Sequence, residues 1–371
     1  METVGLCSVR DKISCVFETS VVHDTSSKKR PDQHFQVVAA TDRLRPDAAF
    51  LFTGQSSARP TEKLDGTCTS VRQWNGRPWL WARHDRKPTK AAEKRHRGAT
   101  SVRRCTSAGG DEDAFVWNVE TDFKDVPPGW TAAGSGLPDA GGHIPGWVPI
   151  DPKSQTHCWH LTAVDLEDPG VALVLQPQNN CSGLEITLRQ LSELESCTLE
   201  LIGTNINANP YHLGSRQHPI HFLVRHGILQ INDYLHTPES LMEWFDTAAG
   251  AVEGIVWHCV DERMFKLHRH HLGIKWPIER PRLIMLPVVV NLEAGVGPDL
   301  ICGREFAGSK LIQGLCKLNG CSFPSLADLK VDIIWSWGST FGFFLFCSFV
   351  SALWPPLLGI FLGLNNEFLH F

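Results

Sequence analysis

The chain has 371 residues, of which 42% are hydrophobic and 20% charged, and its formal net charge is −5. That length and apolar content suit one large globular domain or two smaller ones and exclude a disordered chain. The acidic balance excludes a uniformly basic nucleic-acid coat, while leaving room for a local basic groove.

The twelve cysteines show no CxxC pair, and the N-terminus lacks the basic start and apolar run of a secretory leader. Reduced thiols and a cytoplasmic or nuclear location are therefore expected. Taken in chain order, residues 15–17 and 35–39 read as short strands around a polar turn. Residues 67–72 and 77–83 are rich in Thr, Val and Trp and flank Asn75-Gly76, a strong hairpin signal. From Arg72 to Arg104 there are eleven Lys or Arg against two acids. This block is either a solvated helix over 89–97 or a phosphate-binding surface. Residues 127–149 are rich in Gly and Pro and read as a loop, in which Trp130 and Trp147 either stack bases or plug a core edge.

Further along, 171–175, 184–188 and 199–203 read as strands, the last running into a turn-rich stretch to Tyr211. A helix is expected over 238–248 with Thr237 as N-cap, then a strand pair over 254–259 and 264–268, and a strand over 287–292. Many strands and few long helices predict an antiparallel-sheet α+β architecture. Residues 1–295 are expected to form the main domain and 296–332 a linker. From Ile333 to Asn366 no residue is charged, and 333–354 gives 22 mostly apolar positions. At about 1.5 Å per residue that stretch is long enough to span a bilayer, so 333–371 reads as an atypical hydrophobic tail and a candidate membrane anchor. A buried hairpin and an unusual alternative C-terminus that never folds are the alternatives.

Chemistry concentrates elsewhere. Lys63-Leu64-Asp65-Gly66-Thr67 places a lysine two residues before an Asp-Gly turn, which fixes the direction of its amine. Glu200 sits in Leu199-Glu200-Leu201-Ile202-Gly203, Glu253 opens Glu253-Gly254-Ile255-Val256, and Lys266 follows thirteen residues after Glu253. A lysine amine must lose its proton before it can attack phosphorus, and a nearby cation such as Lys266 or a metal favours that loss. Attack on an α-phosphate builds charge on phosphate oxygens, which Mg²⁺ and basic side chains neutralise. Glu253 is the candidate metal ligand, Lys266 the phosphate clamp, and Glu200 an acceptor for ribose hydroxyls. Each acid taken alone reads as an ordinary carboxylate. Their apolar flanks place both on buried strands, where a charge needs a partner. Histidines cluster at 157–160, 218–221 and 268–271, yet none has the paired spacing of a closed zinc site.

In this order, Lys63-Leu64-Asp65-Gly66-Thr67, Glu200, Glu253-Gly254 and Lys266 resemble the ordered motifs of the ATP-dependent RNA and DNA ligase and capping-enzyme superfamily. Thr67 after Asp-Gly looks like the RNA ligase branch; DNA ligases and capping enzymes usually carry arginine at the place of Cys68. Further stretches, among them residues 81–88, 143–149, 199–211 and 268–273, look like the vertebrate 5′-to-3′ RNA ligases. The resemblance covers roughly residues 12–295. It implies a nucleotidyltransferase fold, self-adenylylation of Lys63 by ATP, transfer of AMP to an RNA 5′-phosphate, and joining to a 3′-hydroxyl, assisted by Mg²⁺ or Mn²⁺. It also implies that Asp65, Gly66, Arg83, Glu200, Glu253 and His268 surround the nucleotide, with Lys63 and Lys266 catalytic. His268 stands where many ligases have a second lysine. A DNA ligase or capping-type enzyme, and a catalytically silent membrane-tethered RNA-binding adaptor, are the competing readings.

Overall fold

The computed structural model describes residues 9, 12–24, 35–53, 57–105, 115–139, 142–179, 183–232, 237–302, 304–306 and 308–329. The hydrophobic tail at 333–371 lies outside the described residues. Among those described, no helix is long and apolar enough to cross a membrane.

The strands in chain order begin with β1 (Ser14–Cys15), β2 (Phe17–Asp24), β3 (Phe35–Leu44) and β4 (Arg59–Lys63). Next come β5 (Thr67–Trp74), β6 (Arg77–Arg83), β7 (Thr131–Ala132) and β8 (Gly146–Pro149). The middle of the chain gives β9 (Val164–Asp165), β10 (Val171–Pro177), β11 (Leu184–Gln190), β12 (Thr198–Gly203) and β13 (His221–Arg225). The last are β14 (Gly254–His258), β15 (Met264–His268), β16 (Val288–Val290) and β17 (Ser322–Phe323).

Two sheets carry the fold. The large one runs β17-β16-β11-β10-β13-β12-β5-β6-β8-β7, with β9 beside β10. The small one runs β1-β15-β14-β4, and β2 pairs with β3 separately. The architecture is α+β and mostly sheet. It is less purely antiparallel than the pattern predicts, because β1–β15, β10–β13 and β11–β16 pair parallel. Hydrophobic alternation cannot distinguish strand direction when the connecting segments are long.

Local signals explain several elements. Asn75 (φ 51°) and Gly76 (φ 78°) take the left-handed backbone that a two-residue hairpin requires, joining β5 to β6. The helix Pro238–Phe245 starts at Thr237, whose hydroxyl accepts from the Ser240 N–H while Ser240 reaches back. The basic block becomes the helix Lys90–Cys105, so much of its charge lies on a helix. The Gly/Pro-rich stretch is only partly loop, since Gly146–Pro149 is recruited as β8 against β6. Trp147 there is fully buried and plugs the core edge.

The described residues between 298 and 329, whose sequence reads as a linker, carry helices and core contacts. They include the helix Lys310–Cys316 with Ser309 as its cap. Phe306, Leu311, Ile312, Leu315, Phe323 and Leu326 join the core that packs on β10, β11 and β16. A second core lies under the small sheet, built from Phe17, Leu51, Trp244, Ile255, Trp257 and Leu267. The opposite face of the small sheet is left for the site.

Candidate active site

Lys63 is the last residue of β4, and its register partner on β14 is Gly254. Gly254 in turn faces His268 on β15. Lys63, Gly254 and His268 thus form one row across the small sheet, and Thr61, Val256 and Lys266 form the next row on the same face. Gly254 has no room for a side chain, since a Cβ there would run into the Leu267 carbonyl and meet His268 Cα at 2.7 Å.

The row brings Lys63 against the acid just before Gly254. Lys63 Nζ donates to Glu253 Oε2 at 2.6 Å, with Glu253 nearly buried. Burial pushes the Glu253 carboxyl up to about 7 against the opposing pull of Lys63. Its other oxygen makes no hydrogen bond to a described residue. Lys266 is shifted below the ordinary lysine range, first by burial and then by the charge of Lys63.

Lys63 and Lys266 line a cavity of about 200 Å³ whose far wall includes Glu200, Cys68 and His226 from the large sheet. The two sheets are therefore the jaws of a cleft. Glu200 pairs with Cys68 in the β12–β5 register. Its carboxylate meets His226 Nε2 at 2.8 Å. Among the described residues, Cys68, Glu200 and His226 bring one donor atom each to within 4.8 Å of one another. Burial, reinforced by Glu200, pushes the Cys68 thiol far up.

Asp65 is an anchor of the turn. Its backbone N–H donates to the Tyr211 phenol oxygen at 3.0 Å, and its carboxylate accepts from Asn207 Nδ2 and Trp276 Nε1, both at 2.8 Å. Asn207 also donates to the Gly66 carbonyl at 2.6 Å. Asn207 sits in the turn after β12 at φ 44°, a conformation in which asparagine is enriched. Gly66 must be glycine, because a Cβ would clash with the Leu201 carbonyl and lie 2.7 Å from Glu200 Cγ.

The remaining expected residues take other positions. Arg83 ends β6, pairs with Asp85 at 2.6 Å and lies over the Trp147 ring at 5.2 Å. It acts on Cys68 through its charge, while the wall around Lys63 is built by other residues. His268 stacks on His271 with ring centroids 3.5 Å apart, and its buried Nδ1 has no partner among the described residues. Burial and the neighbouring positive groups push it down to about 2, so it is neutral.

Four participants escape the sequence pattern. Glu62, fully buried beside Lys63, has Arg282 at 3.7 Å as its one counter-charge among the described residues, and burial pushes it up to about 7. His226 and Trp276 carry no motif, and Asn207 is visible only as one of several turn asparagines. A family model for RNA ligase 1 matches residues 3–332. The chain is 45% identical over 339 residues to RNA ligase 1 from Danio rerio, an alignment that covers 88% of this chain and 99% of that relative. It is 41% identical over 338 residues to the proteins of the same name from Pongo abelii and Mus musculus, with the same coverage.

Proposed function

The chain belongs to the RNA ligase 1 family, and from that membership we propose that it is an ATP-dependent RNA ligase whose nucleophile is Lys63. The observation that carries this reading is the 2.6 Å contact between Lys63 Nζ and Glu253 Oε2 in a cleft that also holds Lys266 and Glu200. A lysine amine, an acid beside it and a second cation are the parts that phosphoramidate formation needs.

Lys63 Nζ attacks the α-phosphorus of ATP. The P–N bond forms, the bond to the β-phosphate oxygen breaks, and pyrophosphate leaves. Glu253 is the group within reach of the ammonium proton, and a carboxyl pushed up to about 7 is matched to take it near neutral pH. Lys266 faces the same cavity and neutralises charge that builds on the phosphates. Glu200 accepts from ribose hydroxyls. Asp65, held by Asn207 and Trp276, and Gly66, which lets the turn lie against Glu200, orient the lysine. Arg83 and His268 lie outside the cavity lining on this reading, His268 two strands across from Lys63 in the same row.

A divalent cation, Mg²⁺ or Mn²⁺, fits the open oxygen of Glu253, since hard ions take one or two carboxylates with water and phosphate oxygens. Bound there, it would supply charge neutralisation at the phosphates. In the second stage an RNA 5′-phosphate oxygen attacks the lysyl-AMP phosphorus, the P–N bond breaks, and Lys63 recovers its proton. A 3′-hydroxyl then attacks the capped 5′-phosphate, closing the 5′-to-3′ phosphodiester and releasing AMP. The catalytic unit on this reading runs to residue 329, because the core under the large sheet is completed by the helix Lys310–Cys316.

The test is incubation of the purified chain with α-³²P-ATP and Mg²⁺, followed by a denaturing gel and peptide mapping. Acid-labile label on the Lys63 peptide, absent in Lys63→Ala and weaker with GTP, is the expected result. A folded chain that stays unlabelled with Mg²⁺ or Mn²⁺, or a Lys63→Ala variant that still labels, overturns it.

A further inference from the structure

The donor atoms of Cys68, Glu200 and His226 lie within 4.8 Å of one another on the wall facing Lys63. We propose that these three side chains bind a thiophilic divalent cation, Zn²⁺ by the chemistry of the donor set, and that the bound ion holds the enzyme off by occupying the Glu200 carboxylate. The second half of this proposal rests on Glu200 receiving the nucleotide ribose, as argued above.

The triad is built by sheet register. Cys68 on β5 is the cross-strand partner of Glu200 on β12. His226 follows the last residue of β13 and is tied to β12 by its backbone N–H, which donates to the Thr198 carbonyl at 3.2 Å. One thiol, one carboxylate and one imidazole from three neighbouring strands therefore converge without a loop rearrangement.

The imidazole is already oriented for coordination. His226 Nδ1 meets Thr198 Oγ1 at 2.9 Å, and the same oxygen accepts from the Val9 N–H at 2.9 Å. Nδ1 is thus occupied and Nε2 is turned toward Glu200. A hydrogen bond to the second ring nitrogen is the usual support of a metal-binding histidine, fixing both tautomer and direction.

The distances suit the ion. Zinc bonds of roughly 2.0–2.3 Å in a tetrahedron place donor atoms about 3.3–3.8 Å apart. The 2.8 Å contact of His226 with Glu200 must open by roughly 0.5–1 Å, and the other separations, all within 4.8 Å, must close by at most about 1–1.5 Å. Three protein donors leave the fourth position toward the cavity, where water or a nucleotide oxygen can enter.

Selectivity follows from the neighbours. Lys63, Lys266 and Arg225 line the same cavity and repel any cation held by charge alone. Mg²⁺ gains little from a thiol, whereas Zn²⁺ gains a strong sulfur bond that offsets the repulsion. The triad and the proposed Mg²⁺ ligand Glu253 are thus separate positions with opposite ligand preferences. Zinc draws the Glu200 carboxylate to itself and removes the acceptor that the ribose requires.

The test uses the full chain with Co²⁺ as a spectroscopic stand-in and Zn²⁺ in competition, comparing wild type with Cys68→Ser and His226→Gln. Circular dichroism and the thermal midpoint of each variant establish that it is folded. Expected is a sulfur-to-cobalt charge-transfer band in the wild type that Zn²⁺ erases and that Cys68→Ser lowers by one site. Zn²⁺ affinity of that site should weaken roughly tenfold or more in either variant, in keeping with the loss of one donor. In the labelling assay with excess Mg²⁺, Zn²⁺ should suppress lysyl-AMP formation in the wild type and far less in Cys68→Ser, each measured against its own zinc-free rate. Identical cobalt spectra in the wild type and the folded Cys68→Ser variant would eliminate the site. Binding without differential suppression would eliminate the inhibitory role. Absence of label in zinc-free wild type would overturn the ligase reading, while the cobalt measurement would still decide the site.

Discussion

Lys63 and Glu253 meet at 2.6 Å although 190 residues separate them, because Lys63 is the register partner of the residue that follows Glu253. The β4–β14 pairing therefore sets the Lys63 amine and its acid by backbone hydrogen bonds. This is a stiffer arrangement than two side chains meeting from loops, and it makes the pair sensitive to small changes in either strand.

Replacing Glu253 by Gln keeps its shape and removes both the counter-charge of Lys63 and the proposed proton acceptor. Single-turnover labelling with α-³²P-ATP should slow on the order of 10² or more, the usual range for losing a positioned general base. A rate near that of the wild type would take Glu253 out of the proposed chemistry.

Gly66→Ala should damage folding and labelling together. The new Cβ would stand 2.7 Å from Glu200 Cγ and press on the Leu201 carbonyl, so β5 must shift from β12. Overpacking of this kind costs about 1–3 kcal/mol. A thermal midpoint equal to that of the wild type would show that the turn has more room than the geometry gives it.

Trp276→Phe deletes the indole N–H that donates to Asp65 at 2.8 Å and leaves Asn207 as the remaining donor to that carboxylate. A hydrogen bond to a charged group contributes about 1.5–3 kcal/mol, and denaturant midpoints at constant slope measure it. Adenylylation should slow as well, since Asp65 holds the turn that aims Lys63. Unchanged kinetics with lowered stability would restrict Asp65 to folding.

Glu62→Gln should alter the pH profile of stability. The carboxyl ordinarily titrates near 4.5 and burial pushes it up to about 7 in the fold. Between those values the folded state binds more protons than the unfolded one. This group's contribution to stability is therefore complete below about 4.5 and is lost as pH rises to about 7. The variant should match the wild type near the acid end of that window and exceed it in stability above the window. Buried His221, pushed down to about 4 from its usual 6.5, acts in the opposite sense. The folded state binds fewer protons there, so stability falls as pH drops from 6.5 toward 4 in both proteins. A pH-independent difference between wild type and Glu62→Gln would assign the effect to packing.

Much of this was legible in the sequence because some signals are local. Asn75-Gly76 fixes a hairpin by backbone conformation alone, and Thr237 caps a helix within three residues. The order Lys63, Glu200, Glu253, Lys266 points to a reaction through chemistry that needs those groups, and the fold gathers them around one cleft. His226 and Trp276 were not legible, since their partners Glu200 and Asp65 are 26 and 211 residues away. Only the register of β12 with β13, or the path of the chain after β15, brings them together. The ordered packing of the described residues between 298 and 329 was hidden for a related reason. Its apolar residues find their complement on β10, β11 and β16, and the helix Lys310–Cys316 is too short to announce itself by periodicity.

The pairing of β4 with β14, and of β14 with β15, also sets a clock. During synthesis Lys63 emerges long before Glu253 and Lys266, and until β14 has left the ribosome its strand has no partner in the small sheet. The nascent lysine is then an ordinary solvated amine. On the proposed mechanism its reactivity switches on only when a contact spanning most of the described chain closes, one of the slower events in folding. An incomplete chain would then carry the proposed nucleophile without the means to use it.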